Sequence, residues 1–283
     1  MNCQFLTMKT QDFFSTHPIF RHEEFAAFLT ETGTGSKKTR EALLAYHVKA
    51  GHLLRIRRGL YAVVPRGFRP EDYPVDPYLL ACHLTDDAVL AYHSALQFHG
   101  KAYSVHRRFP YFSRRARQPF SFQGQTFIAT PFPKALLEQQ AEDFGVETRS
   151  HGGGQVRVTS LERTLVDVLV RPDLGGGWEE VWRSLEGVEY FDLEQVVEYA
   201  LLLKSATTAA KVGFFLEQHR DALMVEEVHL DRLRKHVPKQ PCYLERSRRE
   251  SGKLVASWNL IIPHVVLARI SHHPSRNRPL FVA

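Results

Sequence analysis

Between Ser36 and Gly51, apolar side chains recur at three- and four-residue steps: Leu43, Leu44, Tyr46, His47 and Ala50. That period places them on one face of a helix over residues 36–50. Ser36 offers a hydroxyl that can accept from an otherwise unpaired N–H of the first turn, and Gly51 can take the left-handed conformation that stops a helix. The period then drops to two. Leu53-Leu54-Arg55-Ile56-Arg57 alternates apolar and basic residues, Leu60 to Val64 is a second apolar run, and Arg58-Gly59 between them suits a tight turn. Strict alternation puts Arg55 and Arg57 on one strand face, with Arg58 at the tip.

Upstream, residues 9–15 suit a short helix, and 22–30 a longer one that buries Phe25, Ala26, Phe28 and Leu29. Residues 31–35 then form a glycine-containing turn. Phe13, Phe14, Phe25 and Phe28 are expected to form a core rather than to stack on bases. Helix, helix, turn, helix, hairpin is the order of a winged helix-turn-helix. In such a unit the last helix enters the major groove of DNA and the hairpin lies along the phosphates. Lys37, Lys38, Thr39 and Arg40, in the first turns of the helix, are therefore placed for base edges. Arg55, Arg57 and Arg58 are placed for the backbone.

Prolines 65, 70, 74 and 77 make residues 66–77 an extended linker, and a domain boundary is expected at residue 75. Beyond it, helices are predicted over 76–84 and 91–98. Hairpins are predicted at 120–128, turning at Gln123-Gly124, and at 146–158. Thr159 and Glu162 have capping-box spacing at the start of a helix over 159–170, whose buried stripe is Leu161, Leu165, Val168 and Leu169. Residues 178–231 read as helical throughout. Their apolar stripes are Trp178/Val181/Trp182/Leu185, Leu193/Val196/Val197/Ala200/Leu201 and Val212/Phe215/Leu216. Two late strands, 242–245 and 254–262, flank a basic loop. The expected class is α+β: a winged helix-turn-helix over 1–75, a larger α+β domain over 76–265, and a tail over 266–283.

Charge sharpens this reading. The chain of 283 residues carries a net +6 and a pI near 9.2. From Ser36 to Arg69 there are nine Lys/Arg against one acid, Glu41. Cations gathered on a helix start and a hairpin tip suit a polyanion. Residues 178–231 reverse the sign, with twelve acids against four Lys/Arg, and 232–253 turn basic again. The segment 101–118 interleaves Lys101, Arg107, Arg108, Arg114, Arg115 and Arg117 with Tyr103, Phe109, Tyr111 and Phe112. Two readings of it stay open: a nucleic-acid or acidic-protein contact, and a strand pair with aromatics inward.

Other chemistry fits less well. Three scattered cysteines and no C-x-x-C pair argue against a disulfide framework or zinc finger and suit a reducing cytosol. No apolar run is long enough to span a membrane, and the start of the chain lacks a signal-peptide pattern. His93 and His99 lie on different helix faces, so with His106 and Cys82 they are not expected to bind a metal. Tyr92, His93 and Ser94 are consecutive and diverge around a helix, which does not suit a nucleophile and its base. Pro172-Asp173 resembles the start of a nuclease motif, but Glu250-Ser251-Gly252-Lys253 has one residue too many to complete it. No catalytic residue, metal or cofactor is expected.

Four stretches, in order, resemble the AbiEi-like antitoxins of bacterial type IV toxin–antitoxin (abortive infection) systems. They are Gly51 to Tyr61 (GHLLRIRRGLY), Tyr92 to Leu96 (YHSAL), Thr159 to Asp167 (TSLERTLVD) and Trp258-Asn259-Leu260. The resemblance spans roughly residues 15–265. It implies a cytoplasmic repressor and antitoxin whose winged helix binds double-stranded DNA at repeats in its own promoter. It further implies a C-terminal domain that counters a nucleotidyltransferase-type toxin. A winged-helix regulator with a ligand-sensing C-terminal domain is the alternative, and a nuclease a more distant one.

Overall fold

Phe13, Phe14, Phe20 and Phe25 collect in one buried cluster with Leu29, Leu44 and Leu53, and the first elements of the chain wrap around it. The computed structural model describes residues 3–31, 33, 36–115, 118–244, 252–264 and 266, with side chains from residue 10 onward. The first elements are α1 (Cys3–Thr16), β1 (Ile19–Arg21), α2 (His22–Glu31), α3 (Lys37–Lys49), β2 (Leu53–Arg57) and β3 (Leu60–Val63). Of the turn expected at 31–35, residues 32, 34 and 35 lie outside the described residues. β1 has only three residues, too few for any period to reveal. It pairs antiparallel with β3 and completes a sheet of order β1-β3-β2.

The β2–β3 hairpin departs from strict alternation. Arg55 pairs with Tyr61 but Arg57 with Leu60, so Ile56 is an extra residue in the strand. Such a bulge rotates the remainder of the strand. Ile56 is buried, and Arg55 and Arg57 no longer share an environment: Arg55 is exposed and Arg57 half-buried. Gly59 closes the turn at φ +77°, a conformation that side chains with a Cβ rarely adopt.

By contacts the chain divides into two units, Met1–Ser94 with His106–Phe132 and Val146–Thr159, and Ala95–Val105 with Pro133–Gly145 and Ser160–Ala283. The boundary expected at residue 75 lies inside the first of these. The remainder of the first unit begins with α4 (Pro77–His83), whose N-cap Asp76 accepts from the Leu79 N–H at 2.9 Å. β4 (Val89–Leu90) follows, then α5 (His93–Phe98), which continues past the end of this segment. α5 starts later than periodicity suggests because the Ala91 N–H bonds to the Pro110 carbonyl and Tyr92 takes a positive φ.

Next come β5 (Arg108–Phe112), β6 (Phe120–Phe122), β7 (Gln125–Thr130), β8 (Val146–His151) and β9 (Gly154–Thr159). They form a mixed sheet with β4, in the order β6-β7-β5-β4-β9-β8. β5 lies inside this sheet, between β7 and β4. Phe109, Tyr111 and Phe112 are buried there, while Arg107, Arg108, Arg114 and Arg115 are exposed at its ends. Three of the four aromatics of this basic segment are thus core residues, while Tyr103 is exposed; Arg117 lies outside the described residues.

The second unit contains α6 (Lys134–Gln139), α7 (Leu161–Val170), α8 (Trp178–Glu186), α9 (Leu193–Leu202), α10 (Ala206–Gln218) and α11 (Glu227–Arg234). β10 (Cys242–Tyr243), β11 (Gly252–Val255) and β12 (Leu260–Pro263) follow as a small sheet of order β10-β12-β11. The predicted single strand over 254–262 is in fact two strands, broken by a 3₁₀ turn at Ala256–Trp258 and by Asn259 at φ +47°. The cap of α7 is Ser160, not Thr159. Ser160 Oγ accepts from the Arg163 N–H at 3.3 Å, Thr159 ends β9, and Glu162 accepts from the Asp192 N–H instead. Gly213 is where α10 meets Trp258: a Cβ there would overlap the indole ring, so no larger residue fits without repacking. The indole N–H donates to Glu217 at 2.7 Å.

At the centre of this unit Arg163 is fully buried. Its guanidinium donates to the carbonyls of Glu142 (2.6 Å) and Phe144 (2.7 Å) and faces Asp167 at 3.5 Å. Asp167 also accepts from the Tyr199 hydroxyl at 2.7 Å. Burial pushes the Asp167 carboxyl up to about 6, against the opposing pull of Arg163 and Tyr199.

Candidate nucleic-acid interface

Ser36 caps α3 by accepting from the Thr39 N–H at 3.4 Å, which leaves the first turn presenting its remaining N–H groups outward. Lys37, Lys38 and Thr39 are exposed on that turn, and the Thr39 hydroxyl lies 3.3 Å from the Ser36 hydroxyl. Two lysines there add to the partial positive charge of the helix N-terminus, an arrangement that favours an anion. Neither lysine forms an ion pair with a described residue.

Arg40 points elsewhere. It is half-buried, and Nη1 donates to Thr30 Oγ1 at 2.8 Å and to the Ala26 carbonyl at 3.4 Å, both on α2. One helical turn past the cap, its side chain leans against the packed neighbour helix instead of facing outward. It ties α3 to α2 and is not presented as a base reader.

On the hairpin, Arg55 is exposed on β2 and Arg58 is exposed at the turn. Arg57, displaced by the bulge, donates from Nη2 to the Leu84 carbonyl at 2.6 Å and sits over the Phe120 ring at 5.4 Å. Its charge anchors the hairpin within the first unit. Of the seven residues the sequence nominates, five are exposed together on α3 and the hairpin, and two are structural ties.

Two features here escape sequence reasoning. Lys49 and Tyr46 are exposed on α3, Tyr46 by 62%. Periodicity alone puts Tyr46 on the apolar face, because a three- and four-residue period spreads over more of the helix than the core covers. The other is a histidine pair. His47 Nδ1 lies 3.3 Å from His52 Nδ1, joining the end of α3 to the start of β2. Burial chiefly, with the neighbouring His52, holds His47 below its ordinary value.

Cys82 and Asp173, two further candidates, are engaged within the fold. Burial pushes the Cys82 thiol up to about 12, and its S–H donates to the Arg157 carbonyl at 3.6 Å. A thiol so protonated is a poor nucleophile or ligand. Asp173 receives Arg171 through two bonds of 2.9 and 2.8 Å, so the Pro-Asp pair is engaged with its neighbour; Glu250 lies outside the described residues. Of the basic stretch 232–253, residues 245–251 likewise lie outside them. No described helix is long and apolar enough to cross a membrane.

No protein-family model matches the chain, and no curated protein matches it. Among solved structures it is similar to the crystal structure of the RV2827C protein from Mycobacterium tuberculosis, at 17% identity over 94% of each chain and a TM-score of 0.55. At that identity the likeness is one of fold, and it extends over nearly the whole mixed α+β chain.

Proposed function

We propose that α2, α3 and the β2–β3 hairpin form a winged helix-turn-helix that binds double-stranded DNA. The observation that supports this best is a set of five exposed residues on one helix start and one hairpin. Four are cations, Lys37, Lys38, Arg55 and Arg58, and none forms an ion pair with a described residue. The start of α3 enters the major groove, where Lys37, Lys38 and Thr39 reach base edges. Arg58 lies along the phosphates. Arg40 and Arg57 hold helix and hairpin in register and do not read DNA.

In the same reading the chain is a repressor of its own operon and the antitoxin of a type IV pair, countering a nucleotidyltransferase-type toxin. The support for neutralisation is the sequence resemblance at Gly51 to Tyr61, Tyr92 to Leu96, Thr159 to Asp167 and Trp258 to Leu260. An electrophoretic shift on the DNA upstream of its gene tests the first part. The full chain should shift it, and the variant with Lys37, Lys38 and Arg58 all changed to Ala should not. Growth during induction of the neighbouring toxin tests the second. The full chain should restore growth; no rescue would remove the antitoxin reading and leave a DNA-binding regulator.

A further inference from the structure

α3 packs on β2 without closing the space between helix and hairpin. Between α3 and the hairpin runs an open cleft, with Ala45, Val48 and Lys49 on one wall and Arg55 and Tyr61 on the other. The strand residues belong together: Arg55 and Tyr61 are cross-strand partners and so share a face of the hairpin. Tyr61 is steadied by stacking on Phe20 at a centroid distance of 5.7 Å. Lys49 and Arg55 are exposed and form no ion pair with a described residue.

Duplex geometry says what such a cleft must accommodate. The major and minor grooves are separated by a ridge of phosphodiester backbone. A protein that places a helix in the major groove and a hairpin tip beyond it has to admit that ridge between the two. Resting on the DNA reading above, we propose that this cleft seats one stretch of DNA backbone, with Lys49 and Arg55 neutralising its phosphates from opposite walls. Ala45 and Val48 let the ridge approach without like charge, and the Tyr61 hydroxyl is a donor for a phosphate oxygen.

The cleft also contains an acid. Glu41 lies eight residues before Lys49 on α3, about 12 Å along the axis at 1.5 Å per residue. A carboxylate disfavours phosphate, so Glu41 confines the backbone to the Lys49 end of the cleft and gives the complex a direction. The site differs from the one at the start of α3 in what it reads: phosphate positions, not base edges.

The experiment uses the full chain with two probes, a duplex of its own upstream region and a random-sequence duplex of equal length, each over a range of salt. Lys49→Gln and Arg55→Gln should each weaken both duplexes by the same factor. Each should also flatten the slope of log affinity against log salt by about 0.9, the change expected when one phosphate is no longer neutralised. Urea midpoints should not move, since a packing role would shift them and leave the salt slope alone. Glu41→Gln should tighten both duplexes several-fold. Inorganic phosphate is the third probe: if it protects the chain against heat while both Gln variants bind duplex normally, the cleft is a small-anion site and the proposal is overturned. It is also overturned if the Gln variants keep wild-type affinity and slope while the Lys37/Lys38/Arg58 variant loses binding, and in that case the DNA reading stands. If the wild-type chain shifts neither duplex, the DNA reading falls and this proposal with it.

Discussion

The second unit and the surface of α3 and the hairpin in the first put their cations to opposite uses. In the second unit every described arginine is held. Arg171 pairs with Asp173, Arg183 with Glu179, Arg220 with Glu227 and Arg232 with Glu194. Arg234 reaches Glu217, Glu227 and Asp231, and Arg163 is buried among carbonyls and Asp167. On α3 and the hairpin, Lys37, Lys38, Lys49, Arg55 and Arg58 face solvent without such a partner among the described residues. The cause is the local supply of carboxylates: twelve acids between residues 178 and 231, one between 36 and 69. A surface ion pair contributes little to stability. Its larger effect is to remove a cation from the set a polyanion can meet, because only unneutralised cations release counterions from DNA. Held arginines build the second unit; the unheld cations of α3 and the hairpin are the ones on which the proposed DNA contact rests.

The largest test of that contrast is Arg163→Ala. Removing a buried guanidinium leaves two carbonyls without their donor and Asp167 with only the Tyr199 hydroxyl, and the loss of one member of a buried pair costs about 3–5 kcal/mol. A urea titration should show a much lower midpoint. The folded fraction should keep the wild-type dependence of DNA affinity on salt. An unchanged midpoint would mean that held arginines do not support the second unit, and the contrast would lose one side.

Arg57 and Arg58 sharpen it within one hairpin. Arg57→Ala strips the Leu84 carbonyl of a charged donor and should cost about 1–3 kcal/mol of stability with little change in the salt slope. Arg58→Ala should leave stability within about 0.5 kcal/mol and flatten the slope by about one. Denaturation and salt titration of both proteins give the two-by-two result. Interchanged outcomes would mean that the bulge does not separate their roles.

The smallest effect is a pH dependence at the joint between α3 and β2. His47 is held below its ordinary value of 6.5. Between that lowered value and 6.5 the unfolded chain binds more protons than the folded one, so stability rises with pH there. The contribution is complete above 6.5 and is lost as pH falls through the window toward the folded value. In urea titrations above and below 6.5, His47→Gln should show a weaker dependence than wild type. An identical dependence in both would place the proton linkage at another group.

Much of the secondary structure is legible in the sequence. The cap at Ser36, the turn at Arg58-Gly59 and the stripes of α7 to α10 depend on residues within a turn or two of one another, and short-range periodicity captures them. The candidate interface is legible in part. Lys37, Lys38 and Thr39 follow directly from the cap at Ser36, and Arg58 from the turn. The split between Arg55 and Arg57 is not, because a bulge is set by which residues face each other across a ladder. A reading of β2 alone cannot count the residues of β3 opposite it. Nor can β1 be read: its three residues are strand only because β3 offers them bonds.

What the sequence determined alone is therefore the local layer: where helices start, where strands turn, and where cations outnumber acids. Which cations remain available was decided by the tertiary structure. The group that takes Arg57 is the Leu84 carbonyl, 27 residues away, and the groups that take Arg163 lie at Glu142 and Phe144. A guanidinium is charged wherever it stands, so its charge is a property of the residue. Whether that charge meets water or a carbonyl depends on which backbone folds against it, and that is a property of the whole chain.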